Sequence, residues 1–388
     1  MALLAFMAVV AVRVALLPAE TPDQLTFLLP WLADAQRMGP AYLRQPFTNY
    51  PPFYEHVLAG LALLPGPGLV RIKTFSILFD FALAAAVSRL VTAGRRLIAF
   101  LVVLALPTVI VNSAMLGQSD AIYATFVILA LASTLDHRPV LSMLMLSIAL
   151  AVKLQALMFI PFMLLMALER RQPPWTFVLL PAAYIAFALP MAVAGRPLKQ
   201  IILVYFSQFE ALQQLSLNAP NPWAVLQKFV DYPTGLAVGL PLAIAITGGA
   251  ILLLWRSGVA RSREGVLVSA ALLLILVPYA TPKMHDRFFF LVDPVLVALA
   301  CTYRGYLAPM LLAQLGSAAA YVPFISRTYG AENPLFGTNG WLQRQLSIGW
   351  GIFLAAGVVS MSCALVLLVR KARALASAPP AEPARSSA

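Results

Sequence analysis

The chain has 388 residues, 61% hydrophobic and only 11% charged, whereas soluble domains carry about a quarter charged residues. That composition excludes a soluble globular protein, and apolar runs near twenty residues call for helices rather than the roughly ten-residue alternating strands of a membrane barrel. The net charge of +12 falls in the loops between apolar segments, where membrane topology accounts for it, so nucleic acid is rejected as a partner.

The first apolar segment, 3–17, lacks the basic start of a secretory signal and carries Arg13 near its far end. It is expected to be a retained span; a cleaved signal peptide is the alternative and would leave the downstream topology unchanged. A long loop, 18–73, follows. Within it Leu25, Leu28, Leu29 and Leu32 recur at helical spacing beside Asp34 and Arg37, which predicts an amphipathic helix in the membrane interface. The stretch 50–64 opens on Pro51-Pro52 and carries Glu55 and His56, so a partly inserted helix fits it better than a full span. Further spans are expected at 74–91, 97–111, 121–135, 140–152, 156–168, 175–193, 235–255, 265–279, 288–301, 306–321 and 348–369, which with the first makes twelve. Two other long loops, 194–234 and 322–347, separate them. The former holds Asn218-Ala219-Pro220-Asn221-Pro222-Trp223, a rigid turn with an aromatic anchor.

With 50–64 kept on one side of the membrane, one set of short loops holds Arg89, Arg95, Arg96, Arg138, Arg170, Arg171, Arg256, Arg261, Arg263 and Arg304. The opposite short loops hold only Lys153, Lys283 and Arg287. The positive-inside rule makes the arginine side cytoplasmic, so both chain ends are expected in the cytoplasm and the long loops outside. Residues 1–373 are expected to form a single polytopic domain, and the Ala/Pro/Ser-rich 374–388 a disordered cytoplasmic tail. The inverted internal repeat of many secondary transporters is not seen.

Charge at the membrane edge is costly and tends to mark function, and here it collects on the outer side. Lys283, His285 and Arg287 fall within five positions, a combination suited to holding a phosphate. Snorkelling to headgroups is the plainer reading for a lone cation, but it does not call for a histidine between two of them. Asp23, just beyond the first span, is either a reactive carboxylate or the N-cap of the interfacial helix. Asp120, after Gly117-Gln118-Ser119, has the same two readings. Lys153 and Gln155 interrupt apolar sequence, and Lys153 either contacts phosphate or pairs with Asp120. Asp80 and Asp293 lie about two turns inside spans and require partners. The spacing of His56, His137 and His285 is not that of a zinc site. Cys301 and Cys363 suggest neither zinc nor a disulfide framework. The sequence lacks both a glycine-rich phosphate loop and a nucleophile elbow.

The run Pro22-Asp23, Trp31, Gly39-Pro40, Tyr42 and Asn49-Tyr50-Pro51-Pro52 resembles the first outer loop of GT-C glycosyltransferases, multispan enzymes that use polyprenyl-phosphate sugars. Three further signatures follow in order: Gly117-Gln118-Ser119-Asp120, Val152-Lys153-Leu154-Gln155 with Pro161, and Pro282-Lys283-Met284-His285-Asp286-Arg287-Phe288-Phe289. They are similar to the bacterial mannosyltransferase branch related to the GPI-anchor and phosphatidylinositol-mannoside mannosyltransferases. Asp286 and Phe288 stand where that branch more often has Glu and Tyr.

The resemblance implies an all-α GT-C-like bundle of about twelve transmembrane helices whose long first extracytoplasmic loop carries interfacial helices. It implies an inverting hexosyl transfer, mannose by branch, from a polyprenyl-phosphate donor to the hydroxyl of a glycolipid, glycan or protein acceptor. Asp23 would be the general base. Lys283, His285, Arg287 and Lys153 would hold the donor phosphate. Tyr50, Pro51, Pro52, Gln118, Asp120, Gln155 and Trp223 would shape the substrate cavity. No cofactor is firmly implied; one acid at the front of the loop, where some relatives carry two, leaves a divalent metal as an open alternative. A transporter or lipid-carrier flippase is the other reading. It would place its polar residues at the bilayer midplane, in matching halves.

Overall fold

The computed structural model describes residues 1–204, 213–325 and 341–377, with side chains left aside for 323–325 and 341–350. Parts of the two later loops, 205–212 and 326–340, and the tail from 378 lie outside the described residues. Each of the twelve expected apolar segments contains helix. The last helix, Trp341–Ser377, continues past Arg373 into the segment expected to be tail.

Four described helices are long and apolar enough to cross a bilayer: Pro174–Val193, Tyr232–Ser257, Arg263–Ala280 and Gly351–Ser377. A fifth candidate, Ala93–Ala105 with Pro107–Met115, is bent by 56°. Pro107 cannot donate to the preceding turn and pushes Leu106 into extended backbone (ψ 126°), which breaks the helix expected at 97–111. Other expected spans are shorter helices, such as Ala2–Leu16, Asp120–Leu135 and Pro139–Val152. Helix Gly68–Ser88 has the length but carries Arg71, Lys73 and Asp80.

Burial separates centre from periphery. In Asp120–Leu135 nearly every side chain is buried, and two thirds of Arg263–Ala280 is enclosed. The other long helices are buried over only 17%, 11% and 22% of their most apolar windows. Val178, Ile185 and Leu189 on the first, Val238, Ile244 and Leu253 on the second, and Ile352 and Val359 on the third face outward. So large an apolar surface is untenable in water but natural against lipid chains. Helices Leu307–Ile325 and Trp341–Ser377 cross where Gly316 and Gly357 meet. A Cβ on Gly316 would lie 3.1 Å from the Gly357 carbonyl, the small-residue contact that lets membrane helices approach closely.

Both acids inside the bundle have partners. Arg13 Nε donates to Asp80 Oδ2 at 2.9 Å, and Ser113 Oγ donates to the same oxygen at 2.5 Å. Asp293 accepts from Thr108 (2.9 Å) and Ser317 (3.1 Å). The first loop is itself folded. A π-helical turn, Gln24–Leu28, runs into Leu29–Met38 with Leu28 and Leu32 buried, although Leu25 points outward. The helix at Pro52–Ala62 has eleven residues, roughly 16 Å long and too short to cross. Buried Arg196 anchors this loop by pairing with Glu55 at 2.8 Å and donating to the carbonyls of Tyr42, Leu43 and Gln45.

Candidate active site

Four stretches of sequence converge at one end of the bundle. The first supplies Asp23, whose backbone is already helical (φ −59°, ψ −39°) and whose side chain caps nothing. Its Oδ2 instead accepts from Gln118 Nε2 at 3.3 Å and lies 3.7 Å from Arg287 Nη2. The N-cap reading of Asp23 therefore fails, and the carboxylate is turned toward Gln118 and Arg287.

Gln118 is aimed by a second π-helical turn, Val111–Met115. The turn closes on Gly117 with φ +63°, a left-handed conformation that glycine adopts without strain. Gly117 N–H then bonds Ser113 O and Gln118 N–H bonds Asn112 O. Directly after it, Asp120 opens its helix fully buried. Its two oxygens accept from Lys153 Nζ at 2.6 Å and from Asn112 Nδ2 at 2.7 Å. Asn112 also donates to the hydroxyl of buried Tyr321 at 3.1 Å. Of the two roles expected for Lys153, pairing with Asp120 is the one observed. Gln155 lies just beyond, its Oε1 buried and without a hydrogen-bond partner among the described residues; Gln118 Oε1 is in the same condition.

The segment 283–287 closes the cluster. Ser216–Leu217 and Met284–His285 form a two-residue parallel ladder, and Lys283, at φ +64°, donates its N–H to Leu215 O. Lys283 Nζ bonds the Tyr232 hydroxyl at 2.7 Å and lies over that ring. His285 is in the field of Arg287, Lys153 and Lys283; burial first, and those three cations next, push its pKa down to about 4. The imidazole is thus neutral at physiological pH and acts as a hydrogen-bonding group rather than a cation. Arg287 is held charged, its pKa raised by Asp286, Asp120, Asp23 and Tyr50 against the opposing effect of burial. Burial pushes the Asp286 carboxyl up to about 7, with Arg287 restraining the rise.

Tyr50 packs edge-on to Trp31 and is tilted against Tyr54. Pro51 and Pro52, both buried, start the Pro52–Ala62 helix that carries Tyr54. Trp223 has a different setting. Its indole donates to Ala280 O at 2.9 Å and packs so tightly on Gly239 that a Cβ there would lie 2.5 Å from the ring, so it braces the segment leading to Lys283. The described residues hold no group of three His, Cys, Asp or Glu placed to ligate a metal. Asn112, Tyr232 and Tyr321 were not foreseen from sequence: each lies at the edge of an apolar segment and takes its role from side-chain partners, Asp120 and Tyr321 for Asn112 and Lys283 for Tyr232.

The family model described as Glycosyltransferase family 87 matches residues 47–282, more than half of the sequence. The chain belongs to glycosyltransferase family 87. The match takes in Tyr50 to Pro52, Gln118, Asp120, Lys153, Gln155 and Trp223, while Asp23 and Lys283 to Arg287 flank it. Among solved structures, this family 87 member resembles ArnT from Cupriavidus metallidurans, crystallised bound to undecaprenyl phosphate. The TM-score is 0.54 and the identity 16%, over 96% of this chain and 77% of that one. At that identity the likeness establishes the fold alone. No curated protein matches the sequence.

Proposed function

We propose that this chain is an inverting membrane glycosyltransferase that moves a hexose, mannose by its motifs, from a polyprenyl-phosphate donor to an acceptor hydroxyl at the extracytoplasmic rim. The observation that carries the proposal is the meeting of Asp23 with Arg287 at 3.7 Å, an acid and a cation from opposite ends of the sequence. Asp23 takes the proton of the acceptor hydroxyl as that oxygen attacks the anomeric carbon. The bond from that carbon to the phosphate oxygen breaks on the opposite face, and its electron pair leaves with the phosphate. The donor phosphodiester carries one negative charge, and a second develops as it departs. Arg287 and Lys283 stabilise that second charge, so they act more strongly on the transition state than on the bound donor.

Without donor, Asp23 and Arg287 hold one another. Arriving phosphate draws the guanidinium away and leaves the carboxylate to the acceptor. Gln118 Oε1 and Gln155 Oε1, buried and unmatched among the described residues, are suited to accept hydrogen bonds from sugar hydroxyls. The bound lipid phosphate of ArnT, a protein of the same fold, supports a polyprenyl-phosphate donor here, and the acceptor is a glycolipid, glycan or protein. Purified protein with polyprenyl-phosphate mannose and a membrane-lipid extract is expected to form a mannosylated product, with formation lost in Asp23→Ala. Transfer at the wild-type rate by that variant, or passage of the donor between leaflets without transfer, would overturn the proposal.

A further inference from the structure

Two residues outside every motif hold the segment that carries Asp23. Gln24, fully buried, bridges the two π-helical turns. Its Oε1 accepts from Thr21 N–H at 2.9 Å, satisfying a donor left open at the start of its own helix. Its Nε2 donates to Met115 O at 2.8 Å, satisfying an acceptor left open at the end of the other turn. Lys73, also fully buried, sends its ammonium to the carbonyls of Leu16, Leu17 and Ala19, at the end of the first helix. Three donors thus meet three acceptors, and a cation meets the negative end of a helix.

Gly117 joins the two side chains. A Cβ there would lie 3.3 Å from Gln24 Nε2 and 3.5 Å from Lys73 Cγ, so both pack against the same backbone from which the neighbouring Gln118 reaches Asp23. The result is a closed circuit: Asp23 to Gln24 along the chain, Gln24 to Met115, Met115 to Gln118 along the chain, and Gln118 back to Asp23. Lys73 fixes the end of the first helix, from which the chain enters the circuit. Lys283 stands on a separate element with its own supports, Leu215 and Tyr232, and Arg287 lies further along that element, within 3.7 Å of Asp23.

We propose that Gln24 and Lys73 are positioning residues for Asp23, setting its carboxylate without touching substrate. The proposal rests on Asp23 being the base. A displacement of about 1 Å at a reacting group can cost on the order of 100-fold in rate. Gln24→Leu and Lys73→Met remove the hydrogen bonds while keeping similar bulk. Both are expected to lower kcat for mannose transfer about 10- to 100-fold while weakening the binding of undecaprenyl phosphate by less than about 3-fold, because Lys283 is held elsewhere and a displaced carboxylate competes no better for Arg287. In an Asp23→Asn background the same substitutions should lower kcat no further, since there is no carboxylate left to misplace. A wild-type kcat in both variants would overturn the proposal, as would an equal fractional loss with and without Asp23. Full transfer by Asp23→Asn alone would instead defeat the assignment of the base. If Lys73→Met yields no monodisperse protein, Gly117→Ala tests the same unit. Its added methyl, placed at positive φ against Gln24, is expected to give the same pattern on kcat and Kd.

Discussion

Two arginine–aspartate pairs in this molecule share their chemistry and differ in almost everything else. Arg13 and Asp80 meet at 2.9 Å with side chains 2% and 0% exposed, and Ser113 adds a second donor to the carboxylate. Arg287 and Asp23 stand 3.7 Å apart with 15% and 29% exposure, and Arg287 is also in the field of Asp286 and Asp120. A short, sealed pair between apolar helices cannot exchange partners without exposing a bare charge to the bundle interior. A longer pair open on one side can, and the proposed reaction, in which a phosphate enters and a base is then released, would require that freedom. Buried charge is therefore a poor guide to function by itself; distance and access separate the two uses.

The largest expected effect separates the pairs outright. Asp80→Leu leaves Arg13 uncompensated and should destabilise the fold by about 3–5 kcal/mol, read as a collapse of the thermal melt in detergent. Asp23→Asn should leave the melt close to wild type while transfer falls about 100- to 10,000-fold. A matched loss of stability in both variants would erase the distinction. A smaller effect sharpens it. Arg287→Gln should weaken binding of undecaprenyl phosphate about 10- to 100-fold, the range of a charge-assisted hydrogen bond. Asp23→Asn should tighten the same binding several-fold by removing the competing carboxylate. Weaker binding in Asp23→Asn would show that the two side chains cooperate on the phosphate instead of competing.

The smallest effect concerns pH. The imidazole of His285 takes a proton near pH 6.5 in the unfolded chain but only near 4 when folded. Acidification through that window therefore favours unfolding. The melting temperature should fall between pH 6.5 and 4, by less in His285→Gln, and binding of undecaprenyl phosphate should gain no His285-dependent strength on going from pH 7 to 5. A histidine-dependent gain would make His285 a third cation of the site.

The extent to which this was legible from sequence varied with the range of the interaction involved. The helical segments followed from apolar run length, and the departures have local causes, such as the break at Pro107. The candidate residues at Asp23, Gln118, Asp120, Lys153 and 283–287 could be named because polar groups at the margins of apolar runs are conspicuous. Their pairing could not. Nothing local to Lys153 chooses Asp120 over a phosphate, and nothing in the turn before Trp223 indicates that its ring is enclosed against Gly239. Asp23 illustrates the limit, since its neighbourhood suits an N-cap equally well and only the arrival of Gln118 and Arg287 decides otherwise.

Composition and hydropathy alone determined that this protein is a helical membrane protein with polar residues gathered at segment ends, because transfer of side chains to lipid is a property of the residues themselves. Tertiary structure decided which cation is locked to which acid, which histidine stays neutral and which glutamine bridges the two π-helical turns beside Asp23. Those outcomes depend on distances and burial between residues far apart in the chain, quantities that no local stretch of sequence contains.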